Sequence, residues 1–288
     1  MPQKKTHNNK YQSKPRKAKQ IPAAIDEWKR IQKQIQAKTP VLFLDYDGTL
    51  TPIVQQPEDA ILSDDIRDSL EILCRYIQVI IISGRDRRDV EKLVGIDNLI
   101  YAGSHGFDIN GPDGLNMQHE GGINALPSLE AAEELLNEKL EETPGVRIER
   151  KKYAIAVHYR NSPEREIPLI QKTMDRVAAE YNTLRQTGGK KIIELRPDID
   201  WDKGKALLWL LRELGLKDEA YLPIYIGDDL TDEDAFRVLN KDGMGILVGE
   251  HGDKSDADYR LDSINETGKF LRLLVKQLRE SMNMDSKK

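Results

Sequence analysis

The sequence predicts an α/β protein, a doubly wound Rossmann-like parallel sheet interrupted by a smaller inserted α+β domain. Three observations lead there. Short continuous apolar runs, "VLFL", "VIII" and "PIYI", read as strands buried on both faces, as in parallel sheets. Segments with apolar residues at helical spacing alternate with the first of these runs. Over residues of roughly 108–198 that alternation lapses, and the strand-like stretches become short and mixed.

Along the chain, "AIDEWKRIQKQIQ" (24–36) spaces Ile25, Trp28, Ile31 and Ile35 as one helical face. "VLFLD" from Val41 is the first buried strand. Ser63 stands where it can cap a helix carrying Ile66, Leu70 and Leu73, with Asp64 and Asp65 in the favourable first turn. "QVIIISG" is a second strand, "DRRDVEKLVG" a short helix ending at Gly95, and "NLIYAG" a third strand. Residues 108–126, rich in Gly and Asn, suit a crossing loop or hairpin. "SLEAAEELLNEKLEET" is an amphipathic helix. "KYAIAVHYR" alternates, with Tyr153, Ile155, Val157 and Tyr159 on one face and Ala154, Ala156, His158 and Arg160 on a half-exposed other. A helix at about 164–182 and the mixed strand "KKIIELRP" follow. The buried type returns with "LPIYIG" and "MGILVG" on either side of a helix. The expected division is a basic disordered tail (1–20), a core (21–107 and 199–288) and an insertion (108–198).

Composition narrows the class. Of 288 residues 39% are hydrophobic and 32% charged, which suits a soluble globular chain. The apolar runs are too short to span a bilayer, and the N-terminus has no secretory apolar segment, so the cytoplasm is the expected location. The single cysteine, Cys74, gives neither a disulfide framework nor a zinc pattern. The first twenty residues hold seven cations and no acid; with a net charge of −5 overall, the rest of the chain stands at −12. Such a tail reads as solvated and disordered, or as a contact for an anionic surface. The acidic body argues against nucleic-acid binding.

Ligands of open parallel sheets sit beyond the carboxyl ends of the strands. Asp45 follows "VLFL", Ser83 follows "VIII" and Asp228 follows "PIYIG", so the fold would gather polar residues remote in sequence at one rim. Asp45 and Asp47, two residues apart, would face the same side of an extended backbone. Converging carboxylates need a cation between them, and Mg²⁺, held by carboxylates, water and a substrate phosphate, is the natural one. "GDDLTDED" (227–234) supplies more acids. A calcium loop is the rival reading, but "DYDGT" has its glycine fourth rather than sixth, and no glutamate stands twelfth. Lys203 opens the helix of Leu207, Leu210, Leu211 and Leu214, where a cation opposes the helix dipole. It reads as a solvated surface lysine or as an ammonium aimed at phosphate or carboxylate, and the three polar strand ends favour the second.

"DYDGTLTPI", "ISGR", Lys203 before a helix and "GDDLTDEDAF" resemble, in order, the four motifs of the haloacid dehalogenase-like phosphatases, and more narrowly the trehalose-6-phosphate phosphatases. The resemblance covers about residues 38–275 and makes the insertion a C2-type cap domain. It implies that Asp45 attacks phosphorus to form an aspartyl-phosphate. Asp47 would protonate the leaving sugar oxygen and then deprotonate water. Ser83, with Gly84 and Arg85 beside it, would bind the phosphoryl group, and Lys203 would neutralise charge. Mg²⁺ would be held by Asp45, the Asp47 carbonyl and Asp228, with Asp232 and Asp229 in the surrounding shell. For sugar hydroxyls the resemblance offers Lys151, His158, Arg160, Lys190 and Glu194, with Glu149 on the same stretch. In "AGSHGFD" it departs from the family, which commonly carries a glutamate where Asp108 stands.

The implied reaction is Mg²⁺-dependent hydrolysis of trehalose 6-phosphate, the last step of trehalose biosynthesis, by a stand-alone phosphatase. Its expected partner is a small-molecule sugar phosphate, with no nucleic acid and no membrane, and a monomer is favoured. The alternatives are another sugar phosphatase or phosphomutase of the superfamily, phosphomannomutase-like, and a catalytically silent regulatory subunit.

Overall fold

The computed structural model describes residues 15–54, 56–189, 191–239, 242–250, 252 and 254–285. The chain forms two compact units, one made of the segments up to Ile81 and from Lys203 onward, the other of Ile82–Asp202.

In chain order the elements begin with β1 (Arg16–Lys17), α1 (Trp28–Ala37), β2 (Thr39–Leu44), α2 (Asp64–Leu73) and β3 (Val79–Ile82). The second unit adds α3 (Arg87–Val94), β4 (Ile100–Gly103), β5 (Asp108–Asn110), β6 (Asn116–Gln118), α4 (Glu120–Leu140), β7 (Arg147–Lys151), β8 (Ala154–His158), α5 (Ile167–Glu180), β9 (Leu184–Gly189) and β10 (Ile192–Pro197). The first unit resumes with α6 (Lys203–Glu213), β11 (Tyr221–Gly227), α7 (Glu233–Leu239), β12 (Met244–Val248), β13 (Lys254–Ser255), β14 (Tyr259–Leu261) and α8 (Ile264–Asp285).

The first unit holds a parallel sheet in the order β14-β12-β11-β2-β3. Val41–Leu44, Val79–Ile82 and Ile224–Ile226 are all buried, which is why these strands have no polar face in the sequence. Helix α2 packs on α8 and α6 on α7. Residues 16–20, placed in the disordered tail from sequence, are structured: β1 pairs antiparallel with β13, and Ala18 is buried. The rest of the expected tail, residues 1–14, lies outside the described residues. Helix α1 begins at Trp28, three residues after Ile25, where the spacing starts the helical face, because Ala23 bridges to Arg260 and the chain turns before entering the helix.

In the second unit β4, β5 and β6 pair antiparallel, so residues 108–118, assigned by sequence to the insertion, extend β4 instead. A separate antiparallel sheet runs β7-β8-β10-β9. One face of it, with Ile155, Val157 and Leu195, packs on Leu129, Leu136, Ile170 and Met174 from α4 and α5. Its other face, read as half-exposed, is covered along β8, where Ala154 and Ala156 are buried. Helix α4 starts eight residues before the predicted Ser128, running through Gly121, Gly122 and Pro127. Gly122 explains the tolerance for glycine there, since a Cβ would lie 2.7 Å from the Phe107 ring. Among the described residues no helix is long and apolar enough to cross a membrane.

Candidate active site

Asp45 is the first residue after β2, and its N–H donates to the Ile226 carbonyl of β11 at 2.9 Å. The carboxylate is buried, and Oδ1 accepts from Lys203 Nζ at 2.7 Å. Lys203, the first residue of α6, is itself 3% exposed, and Nζ also donates to Asp232 Oδ1 at 2.7 Å. The surface reading of Lys203 is therefore wrong: the ammonium is sealed between two carboxylates. Burial alone would strip its charge, but Asp232 and Asp45 outweigh that effect and hold its pKa above the ordinary lysine value.

Asp232 is saturated. Its Oδ1 also accepts from the buried Tyr225 hydroxyl (2.6 Å), and its Oδ2 accepts from the N–H groups of Asp228 (3.0 Å) and Asp229 (2.9 Å). One carboxylate thus fixes Lys203 and the loop after β11 together. Burial, reinforced by the charges of Asp232 and Asp45, drives the Tyr225 phenol well up, so it remains a proton donor. Asp229 is exposed, and its side chain caps the turn at Leu230 (2.6 Å) in a reciprocal capping box with Asp232.

Asp228 is half-buried and accepts from Thr49 Oγ1 at 3.3 Å. Burial first and Asp232 second push its carboxyl up to about 6, with Lys203 and Thr49 pulling it back. Gly48, at φ +86°, is required twice over: the left-handed backbone favours glycine, and a Cβ would lie 2.1 Å from Asp228 Oδ2. Asp47 is half-buried and bridges to Thr51. Strand β2 ends at Leu44 and Tyr46 lies in a bend, so the chain is not one continuous strand from Asp45 to Asp47, and the turn at 48–50 follows Asp47.

Asp45, Asp228 and Asp232 offer carboxylate oxygens that all lie within 4.8 Å of one another. Three acids face one ammonium. Burial raises the Asp45 carboxyl, Lys203 opposes the rise, and Asp232 and Asp228 add to it. The donor set is oxygen only, which suits a hard cation that would offset the surplus negative charge. The residues fit a metal ion.

In the second unit, Ser83 follows β3, and its N–H donates to the Ala102 carbonyl of β4 at 2.9 Å. Its buried hydroxyl oxygen accepts the Arg85 N–H at 3.1 Å, closing a tight loop through Gly84. Two residues that the sequence reading passed over hold this loop. Ser104 and His105 lie consecutively at φ 50° and 58°, a conformation costing about 1–3 kcal/mol for each non-glycine residue. Their N–H groups donate to the Arg85 carbonyl (2.7 Å) and the Ser83 carbonyl (2.8 Å). Gly103 permits the approach, since a Cβ there would lie 2.2 Å from the Arg87 nitrogen.

Strand register places Glu149 and Glu194 opposite Ala156 from its two sides, so they share the face turned away from α4 and α5. Lys151 and His158 stand on that face as well. Lys151 Nζ donates to Glu194 Oε1 at 3.0 Å, and His158 Nε2 lies 2.9 Å from Glu149 Oε2. Burial works against the charge on Lys151, but Glu194 outweighs it and raises the lysine; the His158 hydrogen bond lowers Glu149. A small cavity is lined by Gly84, His105, Lys151, Tyr153, Glu194 and Arg196, among others. Arg160 is exposed in the turn after β8. Lys190 lies outside the described residues, and β10 begins at Ile192, not at residue 190. Asp108, where the family resemblance weakens, is buried and accepts from Lys152 Nζ at 2.8 Å.

Comparison with known proteins gives the family. The family model "Trehalose-phosphatase" matches residues 43–265. The chain is 40% identical over 267 residues to a probable trehalose-phosphate phosphatase D of Arabidopsis thaliana, covering 89% of this chain and 72% of the plant protein. It is 42% identical over 249 residues to a trehalose-phosphate phosphatase of Mycobacterium tuberculosis, covering 85% of this chain but only 63% of that protein. The solved C-terminal domain of the C. albicans trehalose-6-phosphate phosphatase superposes with a TM-score of 0.72 at 28% identity, covering 89% of this chain and 98% of that one. With a family match spanning most of its length, the chain belongs to the trehalose-phosphatase family of haloacid dehalogenase-like phosphoric monoester hydrolases.

Proposed function

We propose that this protein hydrolyses trehalose 6-phosphate to trehalose and phosphate. The observation that carries the reading is the buried Asp45 carboxylate, ion-paired to Lys203 at 2.7 Å beside Asp228, in a chain of this family. The Asp45 oxygen forms a bond to phosphorus as the phosphorus–sugar oxygen bond breaks, and Asp47 gives the departing oxygen its proton. Asp47 then takes a proton from the water that attacks the aspartyl-phosphate, freeing phosphate and restoring the Asp45 carboxylate. Lys203 fixes the orientation of Asp45 and offsets phosphoryl charge. The Ser83 oxygen accepts from Arg85, so the hydroxyl proton is left to donate to a phosphoryl oxygen, with Gly84 and Arg85 completing that loop.

Mg²⁺ is the proposed ion, held by Asp45, the Asp47 carbonyl and Asp228. When bound it supplies charge neutralisation at the phosphoryl oxygens. Asp232 orders the Asp228 loop, whereas Asp229 serves the turn. Lys151, Glu194, His158 and Glu149 form the sugar-recognising face, with Lys190 and Arg160 assigned to the same task by family resemblance. We take the cap domain to run from α4 to β10, and place the enzyme in the cytoplasm, acting on a small-molecule sugar phosphate rather than on nucleic acid.

A phosphate-release assay across a panel of sugar phosphates tests this. Trehalose 6-phosphate is the preferred substrate in Mg²⁺, and EDTA stops the reaction until Mg²⁺ is restored. Isomerisation of a hexose phosphate without release from trehalose 6-phosphate would overturn the assignment in favour of a mutase.

A further inference from the structure

Asp86 stands one residue before α3, where an aspartate ordinarily turns its carboxylate onto the first helical N–H groups. It makes no such capping bond. Its oxygens go to two other segments. Ser104 Oγ donates to Oδ1 at 3.0 Å, and the Lys152 backbone N–H reaches Oδ1 and Oδ2 at 3.0 and 2.9 Å. Ser104 belongs to the left-handed pair that holds the Ser83–Arg85 loop. Lys152 and Tyr153 form the turn of the β7–β8 hairpin, which carries Lys151. A single carboxylate therefore ties the phosphate-side loop to the sugar-side hairpin. The link runs through a backbone N–H, so it does not depend on the Lys152 side chain, whose ammonium is engaged with Asp108 at 2.8 Å.

We infer that Asp86 is a positioning residue for substrate selection: it holds the Lys151-bearing hairpin in fixed spacing to the Ser83–Arg85 loop, so that an ester is processed well only when its alcohol is a sugar that reaches Lys151 and Glu194. The inference rests on the proposed function. Asp86 touches no substrate and acts through Ser104 and Lys152. The loop keeps two bonds that do not involve the Asp86 carboxylate, from Ser104 N–H to the Arg85 carbonyl and from His105 N–H to the Ser83 carbonyl. Removal of the carboxylate takes away the hold on the Lys152 backbone N–H and leaves the hairpin turn to the Lys152–Asp108 side-chain pair and the Tyr153–Phe107 stack, while the backbone bonds of the loop stay in place.

Steady-state kinetics of the full chain with trehalose 6-phosphate and with p-nitrophenyl phosphate, an ester without a sugar, separate the two effects. For Asp86→Ala we expect kcat/KM for trehalose 6-phosphate to fall by about 100-fold, the scale of a misplacement near 1 Å, and that for p-nitrophenyl phosphate by less than about threefold. Asp86→Asn keeps one acceptor oxygen, is the gentler change should the alanine variant fold poorly, and should lose about tenfold on the sugar substrate alone. Equal losses on both substrates, or none on either, would overturn the inference while leaving the proposed function standing. A wild-type protein active on p-nitrophenyl phosphate but inert on trehalose 6-phosphate would remove the proposed function and this inference with it.

Discussion

Lys203 shows how little of a residue's role its immediate sequence declares. Opening a helix with a cation is unfavourable by itself, yet the two carboxylates at 2.7 Å more than offset the dipole and the cost of burial. Substituting Met for Lys203 leaves Asp45 and Asp232 buried without their cation. In urea unfolding with EDTA present, Lys203→Met should lose about 3–5 kcal/mol, and an unchanged midpoint would contradict the account of a buried, mutually dependent cluster. Asp45 and Asp228 were legible because they follow unbroken apolar strands, a position at which an acid has no packing purpose. Asp86, Ser104 and His105 were not. Asp86 acts through the Ser104 hydroxyl and the remote Lys152 N–H, and Ser104 and His105 through loop carbonyls at positive φ, and no local pattern in "SGRDRR" or "AGSHGFD" encodes these partners.

Among the elements, strands with a single environment along their length were the most readable. β2, β3 and β11 are buried on both faces and uniformly apolar, so periodicity and burial gave one answer. Ambiguity arose where local propensity and tertiary packing disagree. The start of α4 carries two glycines and a proline, poor helix residues that read as loop, but the Phe107 and Tyr153 rings occupy the space a side chain would need at Gly122. β9, "LRQTGG", was missed because it lacks the alternation of a packed strand; its pairing along the whole of β10 holds it in the sheet. The antiparallel sheet depends on its helices for a core. Leu136, fully buried among Ile155, Val157 and Met174, should cost about 2–5 kcal/mol when truncated to Ala, read from denaturant unfolding. A loss below about 1 kcal/mol would mean that this cluster collapses around the gap or contributes little.

At the scale of the whole molecule, two units divide the polar chemistry. The first carries the acids and ammonium suited to phosphoryl transfer, and the second carries the Ser83 loop and the paired charges suited to hydroxyl recognition. The sequence anticipated an insertion from residue 108, whereas the second compact unit begins at Ile82 and β5, which pairs with β4 and with β6, belongs to the same run of strands as β4; the expected tail also includes β1, which pairs with β13. The β1–β13 pairing has no local signal, because it joins segments remote in sequence, whereas the Gly- and Asn-rich stretch at 108–126 did suit a hairpin and lacked only a sign that β5 continues from β4. The central claim is that the carboxylate buried beside Lys203 is the group that attacks phosphorus. Phosphate release from trehalose 6-phosphate, compared for wild type and Asp45→Asn at matched thermal stability, tests it most directly. The account predicts a fall of ~10⁴-fold or more in kcat for the variant. An Asp45→Asn protein turning over at the wild-type rate would contradict it.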